Sequence, residues 1–211
     1  MTEIKIFVFN SFQENTFLLY DESKECIIID AGCNEDHEFK QIDNFIIEKG
    51  LKVKSIVNTH CHIDHIMGNA YLSKKYNVES IAHKEDLPLL ERSKDMATAF
   101  GLSVEDPPIP SIFVNENDEI EFGNTVLLVK HVPGHSPGSI ALYNQKDGFV
   151  IVGDVLFKGG IGRTDLPGGD YDTLIASINN KLFTLNNDVI VYPGHGESTS
   201  IAKEKSDNPF F

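Results

Sequence analysis

Three histidines and an aspartate lie within six residues of one another at positions 60–65, in the run His-Cys-His-Ile-Asp-His. The segment directly follows an apolar run at 53–58, which has the length and composition of a buried strand. At the end of a strand, His60 and His62 would point to one side, since side chains alternate with a period of two. Neutral imidazole and ionised carboxylate are the usual nitrogen and oxygen ligands of zinc and similar metals. One ion does not need so many donors, so the segment predicts a site for two.

Three later positions extend this donor set. His135, Asp154 and His195 each follow an apolar run with strand character, and each is directly preceded by a glycine. Strand ends are where a rigid scaffold can aim a side chain, and a glycine permits a close backbone approach that a Cβ would block. We therefore expect these three residues to complete a cluster of seven metal ligands.

Composition excludes several classes of protein. The net charge of −14, with 32 acidic and 18 basic residues, argues against a nucleic-acid surface. No apolar stretch approaches the roughly 20 residues needed to cross a bilayer, and the first ten residues contain no basic leader. Three cysteines make an odd count with no disulfide spacing. The expected location is the cytoplasm, with no membrane partner, and no feature of the sequence sets an oligomeric state.

Strands and helices alternate along both halves of the chain. Strands are predicted at 4–9, 16–20, 26–29, 53–59, 80–83, 120–129, 140–143, 149–152 and 189–192. Helices are predicted at 35–49 with Asn34 as N-cap, at 67–76, after the N-cap Asp170, and at 198–205. This order favours an α+β fold with two mixed sheets and helices on the outer faces, as a single domain over 1–211, rather than a doubly wound parallel sheet.

The segment 85–111 departs from that alternation. It begins with a helical pattern and ends in the run Pro-Pro-Ile-Pro at 107–110, where helix and central strand are both excluded. It is either a connector or an excursion that covers the site. In the second case Met96 and Phe100 are candidate substrate contacts.

The motif His-x-His-x-Asp-His, followed by His135, Asp154 and His195, resembles the metallo-β-lactamase superfamily. The runs Gly-Arg-Thr-Asp at 162–165 and Pro-Gly-His-Gly at 193–196 are most similar to its glyoxalase II-like branch, the hydroxyacylglutathione hydrolases. The resemblance implies a four-layer αβ/βα sandwich. It also implies a ligand set in which one metal is held by His60, His62 and His135, the second by Asp64, His65 and His195, and both are bridged by Asp154.

The activity implied by this resemblance is hydrolysis of a small-molecule thioester such as S-lactoylglutathione. Two divalent cations, zinc in the first place with iron or manganese as alternatives, would share a hydroxide that acts as nucleophile. Asp64 and Asp154 would be the catalytic carboxylates. A thiolate leaves without a general acid, which favours thioester over amide hydrolysis. Only sixteen residues follow His195, so the C-terminal helical domain that binds glutathione in the longer enzymes is expected to be absent, and the identity of the thiol stays open.

A second function is compatible with the same scaffold. Persulfide dioxygenases share the Gly-Arg-Thr-Asp run but bind a single iron, here through His60, His135 and Asp154. The complete second set of donors, Asp64, His65 and His195, favours the hydrolase. A flavodiiron-like module is disfavoured because that branch carries a glutamate at the position of His62.

Further residues are candidates for supporting roles. Asp30 follows a predicted strand and could brace the ligand loop, as could the hydroxyl of Thr59. Arg163 could pair with Asp165 and hold its own loop, or it could contact an anionic substrate.

Overall fold

Two six-stranded sheets form the centre of the computed structural model, which describes residues 1–211. In the first sheet the strands lie side by side in chain order, the first two pairings antiparallel and the other three parallel. Its members are β1 (Glu3–Phe9), β2 (Glu14–Tyr20), β3 (Glu25–Ile29), β4 (Lys52–Val57), β5 (Glu79–Ala82) and β6 (Ile112–Phe113).

The second sheet is built from β7 (Glu119–Phe122), β8 (Thr125–His131), β9 (Ile140–Asn144), β10 (Phe149–Gly153), β13 (Ile190–Pro193) and β14 (Thr199–Ser200). A short hairpin of β11 (Leu156–Phe157) and β12 (Gly160–Ile161) lies outside it. The spatial order is β14-β13-β10-β9-β8-β7, and only the β10–β13 pairing is parallel. Both sheets are therefore mixed, as predicted.

Six α-helices accompany the sheets: α1 (Asp36–Lys49), α2 (Asn69–Tyr76), α3 (Leu87–Glu91), α4 (Ser93–Ala99), α5 (Tyr171–Ser177) and α6 (Ile201–Asp207). Single 3₁₀ turns lie at Ile63–His65 and Lys84–Asp86, and a π-helical turn at Ile178–Leu182 continues α5. No helix is both long and apolar enough to span a membrane.

The strand periodicity explains the layers. In β2, Phe17 and Leu19 face the second sheet, whereas Leu18 faces the opposite way, toward Ile42 and Ile46 of α1. On the outer face of the second sheet, α5 and α6 cover the alternate side chains of β9 and β10. One core lies between the sheets and one under each outer helical layer. This confirms the predicted α+β four-layer sandwich.

Some local predictions are wrong. The predicted strand 120–129 is a hairpin, with β7 and β8 joined at Gly123, which has a positive φ of 53°. The N-cap of α1 is Glu35 rather than Asn34, because the Glu38 carboxylate accepts hydrogen bonds from the backbone N–H groups of both residues. β4 ends at Val57, two residues before the predicted limit, so His60 and His62 lie on a loop and not on a strand.

A pair of stacked histidines connects the end of β5 in the first sheet with the end of β8 in the second. His83 follows β5 and lies against His131 at the end of β8, with ring centroids 4.0 Å apart. Its Nδ1 accepts a hydrogen bond from the backbone N–H of Glu85, so that nitrogen carries a lone pair. Burial, with a smaller contribution from His131, lowers the pKa of His83 to about 4.

This shift predicts a pH dependence of stability. In the unfolded chain His83 takes up a proton near its ordinary pKa of 6.5, so the contribution of neutral His83 is complete above about pH 6.5 and is lost as the pH falls toward 4. We expect His83→Asn, which keeps an acceptor for Glu85, to lose less stability than the wild type between about pH 7 and pH 5 in urea unfolding. His37→Asn removes an exposed histidine and should leave the dependence unchanged. Equal slopes for wild type and His83→Asn would contradict the prediction.

Candidate metal centre

The ends of strands from both sheets meet at one edge of the sandwich, and the seven predicted ligands lie there. The loop after β4 carries His60, His62 and the 3₁₀ turn Ile63–His65, so four donors come from the first sheet. β8, β10 and β13 run in the same direction within the second sheet. Their carboxyl ends consequently deliver the other donors, His135, Asp154 and His195, to the same edge.

The first group of donors consists of His60, His62 and His135. Their candidate ligand atoms all lie within 4.8 Å of one another. Nδ1 of His62 and Nε2 of His135 are 2.9 Å apart. Three imidazoles at this spacing match the three-histidine sites that hold catalytic zinc.

The second group consists of Asp64, His65 and His195, again within 4.8 Å. Oδ2 of Asp64 is 3.2 Å from Nε2 of His195 and 3.6 Å from Nε2 of His65. Asp154 lies between the groups. Its two oxygens are 3.5 Å from Nε2 of His65, 3.5 Å from Nε2 of His195 and 3.8 Å from Nε2 of His135. One carboxylate thus reaches both groups.

Four of the histidines have their outer ring nitrogen occupied by an acceptor. Nδ1 of His135 is 2.9 Å from the carbonyl oxygen of Arg163, and Nδ1 of His195 is 3.0 Å from that of Phe12. A carbonyl only accepts, so both nitrogens must carry the proton. The inward Nε2 atoms then carry the lone pairs, which is the tautomer that a metal requires.

Asp30 orients the remaining two imidazoles, together with Thr59. Its carboxylate accepts from the backbone N–H of Thr59 at 2.7 Å, from the Thr59 hydroxyl at 2.6 Å and from Nδ1 of His65 at 3.2 Å. Because the hydroxyl proton goes to Asp30, the Thr59 oxygen can accept from Nδ1 of His60, 3.1 Å away. Asp30 has a positive φ of 52°, a conformation that costs a non-glycine residue energy and that these bonds offset.

The inward atoms have the chemistry of metal ligands and lack hydrogen-bond partners within the chain. Nε2 of His60, Nε2 of His65 and Oδ1 of Asp154 are buried without any hydrogen-bond partner. A buried polar atom left in this way costs roughly 1–3 kcal/mol. Three such atoms aimed at one another are unfavourable unless a cation binds them, so the donor set fits divalent metal ions.

The charges of the ligands are coupled. Burial would raise the pKa of Asp64, but the nearby imidazoles of His65 and His195 outweigh it and hold that pKa below its usual range. The pKa of Asp154 is lowered against burial in the same way, chiefly by His65. In turn, Asp64 and Asp154 raise the pKa of His65 well above its usual value, although burial opposes the shift. Burial and the neighbouring imidazoles lower the pKa of His62 to about 4.

Two glycines allow the ligand loops to approach one another. A Cβ on Gly194 would collide with Oδ1 of Asp154, and a Cβ on Gly162 would collide with the carbonyl oxygen of Asp154. Any side chain at these positions would push a proposed ligand out of place. The close approach of the loops therefore explains why glycine occupies position 162 in the Gly-Arg-Thr-Asp run and position 194 in the Pro-Gly-His-Gly run.

A pocket of about 270 Å³ opens above the donors. One wall is formed by α3 and α4 of the segment 85–111, and the candidate substrate contacts Met96, Phe100 and Arg163 all line the pocket. Phe100 meets Phe12 edge to face across the mouth, with ring centroids 5.4 Å apart. The apolar part of the lining is completed by Ile63, Leu89, Leu166 and Pro167.

Sequence reasoning missed three residues of this region. Phe12 both lines the pocket and supplies the carbonyl oxygen for His195. Arg92 lines the pocket from the turn between α3 and α4. Asp86 lies behind the ligands and contacts both of the loops that carry the first group. None of them belongs to a motif, because their roles depend on contacts between segments far apart in the chain.

The raised pKa of His65 predicts that metal binding is linked to protons. A cation must displace the proton from His65, so affinity for zinc should fall as the pH falls from about 8 to 6. Isothermal titration calorimetry in two buffers of different ionisation enthalpy measures the protons released. We expect net release, with the same value in the control His37→Asn. Zinc binding without proton release would contradict the predicted protonation of the site.

Comparisons with known proteins agree with this geometry. The family model described as the metallo-beta-lactamase superfamily matches residues 10–195. Hydroxyacylglutathione hydrolase GloC of Haemophilus influenzae is 39% identical over 209 residues, which are 98% of this chain and 97% of that protein.

Two solved structures are similar over nearly their full length. BLEG-1, described as a B3 metallo-β-lactamase, has a TM-score of 0.90 at 32% identity and covers 99% of both chains. TTHA1623 in a di-iron-bound form has a TM-score of 0.88 at 35% identity, covering 98% of this chain and 100% of that one. With the family match and the four-layer fold, these similarities show that the chain belongs to the metallo-β-lactamase superfamily.

Proposed function

We propose that this protein is a dinuclear metallohydrolase that cleaves a thioester, with an acidic thiol such as glutathione as the leaving group. The observation that carries the proposal is the presence of two complete groups of three donors, each within 4.8 Å, with Asp154 between them. The similarity to GloC, named as a hydroxyacylglutathione hydrolase, supports the choice of substrate. Zinc is the proposed metal. The di-iron form of TTHA1623 makes iron the first alternative, with manganese the second.

Each proposed ligand is assigned to one of two metal sites. His60, His62 and His135 would hold one ion and Asp64, His65 and His195 the other, with Asp154 shared. When bound, such a pair of cations lowers the pKa of water toward neutrality and polarises a carbonyl. The pKa shifts of Asp64 and Asp154 keep both carboxylates ionised at neutral pH, as ligands must be.

The absence of a free proton donor at the ligands supports a thioester. The outer nitrogens of His60, His65, His135 and His195 are already bonded to acceptors, and their inner nitrogens face the proposed ions. A leaving amine needs a proton, which these nitrogens do not offer, whereas a thiolate, whose conjugate acid has a pKa near 8.5, leaves without one. The ligand set therefore supports thioester over amide hydrolysis.

Replacing Asp154 by alanine tests the proposal. Loss of the shared carboxylate removes a donor from both groups, so we expect kcat/KM for S-lactoylglutathione to fall by at least about 100-fold. Loss of a residue that only hydrogen-bonds a metal ligand usually has a smaller effect. Elemental analysis should give about two ions per wild-type chain and fewer in the variant. Asp188→Asn, on the exposed surface, is the control.

Other outcomes separate the alternatives. A content of one iron per chain, with O₂ uptake when a persulfide is added, would show a persulfide dioxygenase instead. The iron would then be held by His60, His135 and Asp154. Faster hydrolysis of a β-lactam than of any thioester would also overturn it.

Two arginines indicate what the pocket recognises. The Arg163 guanidinium is bound by both oxygens of Asp165, each at 2.7 Å, so its charge is already paired. Arg92 lines the same pocket and forms no ion pair in the structure. We infer that Arg92 contacts a carboxylate of the thiol, since it offers the pocket an unpaired cation, while the apolar wall accepts the rest of the substrate.

Changing Arg92 to alanine should raise KM for an acidic thioester by roughly fivefold, equivalent to about 1 kcal/mol for an exposed charge pair. KM for the lactoyl thioester of uncharged N-acetylcysteamine should not change. Lys94→Ala is the matched control, because Lys94 is close by but pairs with Asp106 outside the pocket. An equal rise in KM for both substrates would show that Arg92 contributes to the shape of the pocket wall and does not bind the negative charge of the substrate.

A further inference from the structure

A fully buried carboxylate that is not a proposed ligand lies directly behind the first group of donors. Asp86 ends the 3₁₀ turn Lys84–Asp86, immediately before α3, and is 0% exposed. Burying an ionised carboxylate is costly unless hydrogen bonds compensate it. The position of those bonds shows what the residue does.

The Asp86 carboxylate joins two ligand loops that belong to different sheets. Oδ2 accepts from the backbone N–H of Cys61 at 2.8 Å and from the hydroxyl of Ser136 at 2.9 Å, and Oδ1 accepts from the backbone N–H of Gly138 at 2.6 Å. Cys61 lies between His60 and His62, and Ser136 directly follows His135. The three histidines of the first group are therefore the immediate neighbours of groups bonded to one side chain.

Only a carboxylate satisfies this arrangement. All three partners present an N–H or O–H, so acceptors are needed at both oxygens of residue 86. An asparagine would turn its NH₂ toward the N–H of Cys61 or of Gly138 and lose one loop. The fit is also close on the other side, since a Cβ on Gly138 would lie only 2.7 Å from Oδ1 of Asp86.

The separation that Asp86 spans matters for metal binding. Nδ1 of His62 and Nε2 of His135 come from the two loops and are 2.9 Å apart, and metal–ligand distances tolerate changes of only about 0.2 Å. The second group shares the loop after β4 but has further supports of its own. His65 is oriented by Asp30, and His195 by the carbonyl oxygen of Phe12.

We propose that Asp86 is a positioning residue that sets the spacing of the loops bearing His60, His62 and His135, and so determines the affinity of the first metal site selectively. The inference rests on the metal centre proposed above. It also gives a role to the segment 85–111. Asp86 lies at the start of α3 and ties that helix to both ligand loops, and Leu89 of α3 lines the pocket.

Zinc competition with a chelator tests this in the complete protein. In Asp86→Asn we expect one of the two zinc ions to bind roughly 10–100-fold more weakly, the range found when partners of metal ligands are lost, with the other unchanged. At a chelator concentration that leaves both zinc ions bound to the wild type, the variant should then retain about one zinc ion per chain instead of about two. kcat for the thioester should fall more than KM changes, since Asp86 does not line the pocket.

The variant is expected to fold, because the backbone N–H of Ile140 still donates to the carbonyl oxygen of Thr59 between the same two segments. Ser136→Ala removes only one of the three bonds and provides a milder second variant with the same selective effect. Asp21→Asn is the matched control. Asp21 is 2% exposed and its carboxylate accepts hydrogen bonds from Ser23, Asn124 and Thr125, at the start of β8 and thus at the opposite end of that strand from His135. It should lose stability and keep both ions.

Unchanged affinity for both ions in folded Asp86→Asn and Ser136→Ala would overturn the proposal. So would an equal weakening of both ions, because that is general loosening rather than positioning. A wild type that binds no metal would overturn this inference and the proposed function together. Selective loss of one zinc in a protein that hydrolyses no thioester would leave the role of Asp86 intact and remove only the proposed substrate.

Discussion

Hydrogen bonds at the outer nitrogens of the histidines are the interaction on which the rest of the site depends. Each bond fixes which nitrogen of a ring carries the proton, and so turns a lone pair toward the centre. With them the centre keeps buried, unpartnered atoms on His60, His65 and Asp154, which a bound cation can satisfy.

The four-layer sandwich serves this arrangement by holding strand ends in register at one edge. The core between the sheets is built from alternate side chains of both, including Phe17, Ile29 and Ile151. Fully burying side chains of this size stabilises the fold by about 1.5–3 kcal/mol each. The stability of the layers is what allows ligand loops from two sheets to be held at distances that metal binding requires, with Asp30 and Asp86 joining them locally.

The structure brings the seven candidate donors together at one edge, whereas several element boundaries differ from those that the sequence predicted. Donors at 60–65 were recognisable because a local cluster of metal-binding side chains is rare, whatever the backbone does. The hairpin at Gly123 was missed because apolar residues continue through it, so periodicity alone does not mark the turn. The cap at Glu35 was missed because Glu38 reaches back to the preceding N–H groups, and a glutamate at that position does not reveal which residue it caps.

The seven donors, their chemistry and the family were determined by the sequence itself, because side-chain identity and spacing carry that information directly. The tertiary structure alone decided how the donors are oriented and what surrounds them. The carbonyl oxygens of Phe12 and Arg163 hold two of the histidines, and every residue has such a carbonyl, so no sequence pattern marks the ones that matter. Likewise, Asp86 became informative only when folding brought Cys61 and Gly138, 77 positions apart, onto one carboxylate.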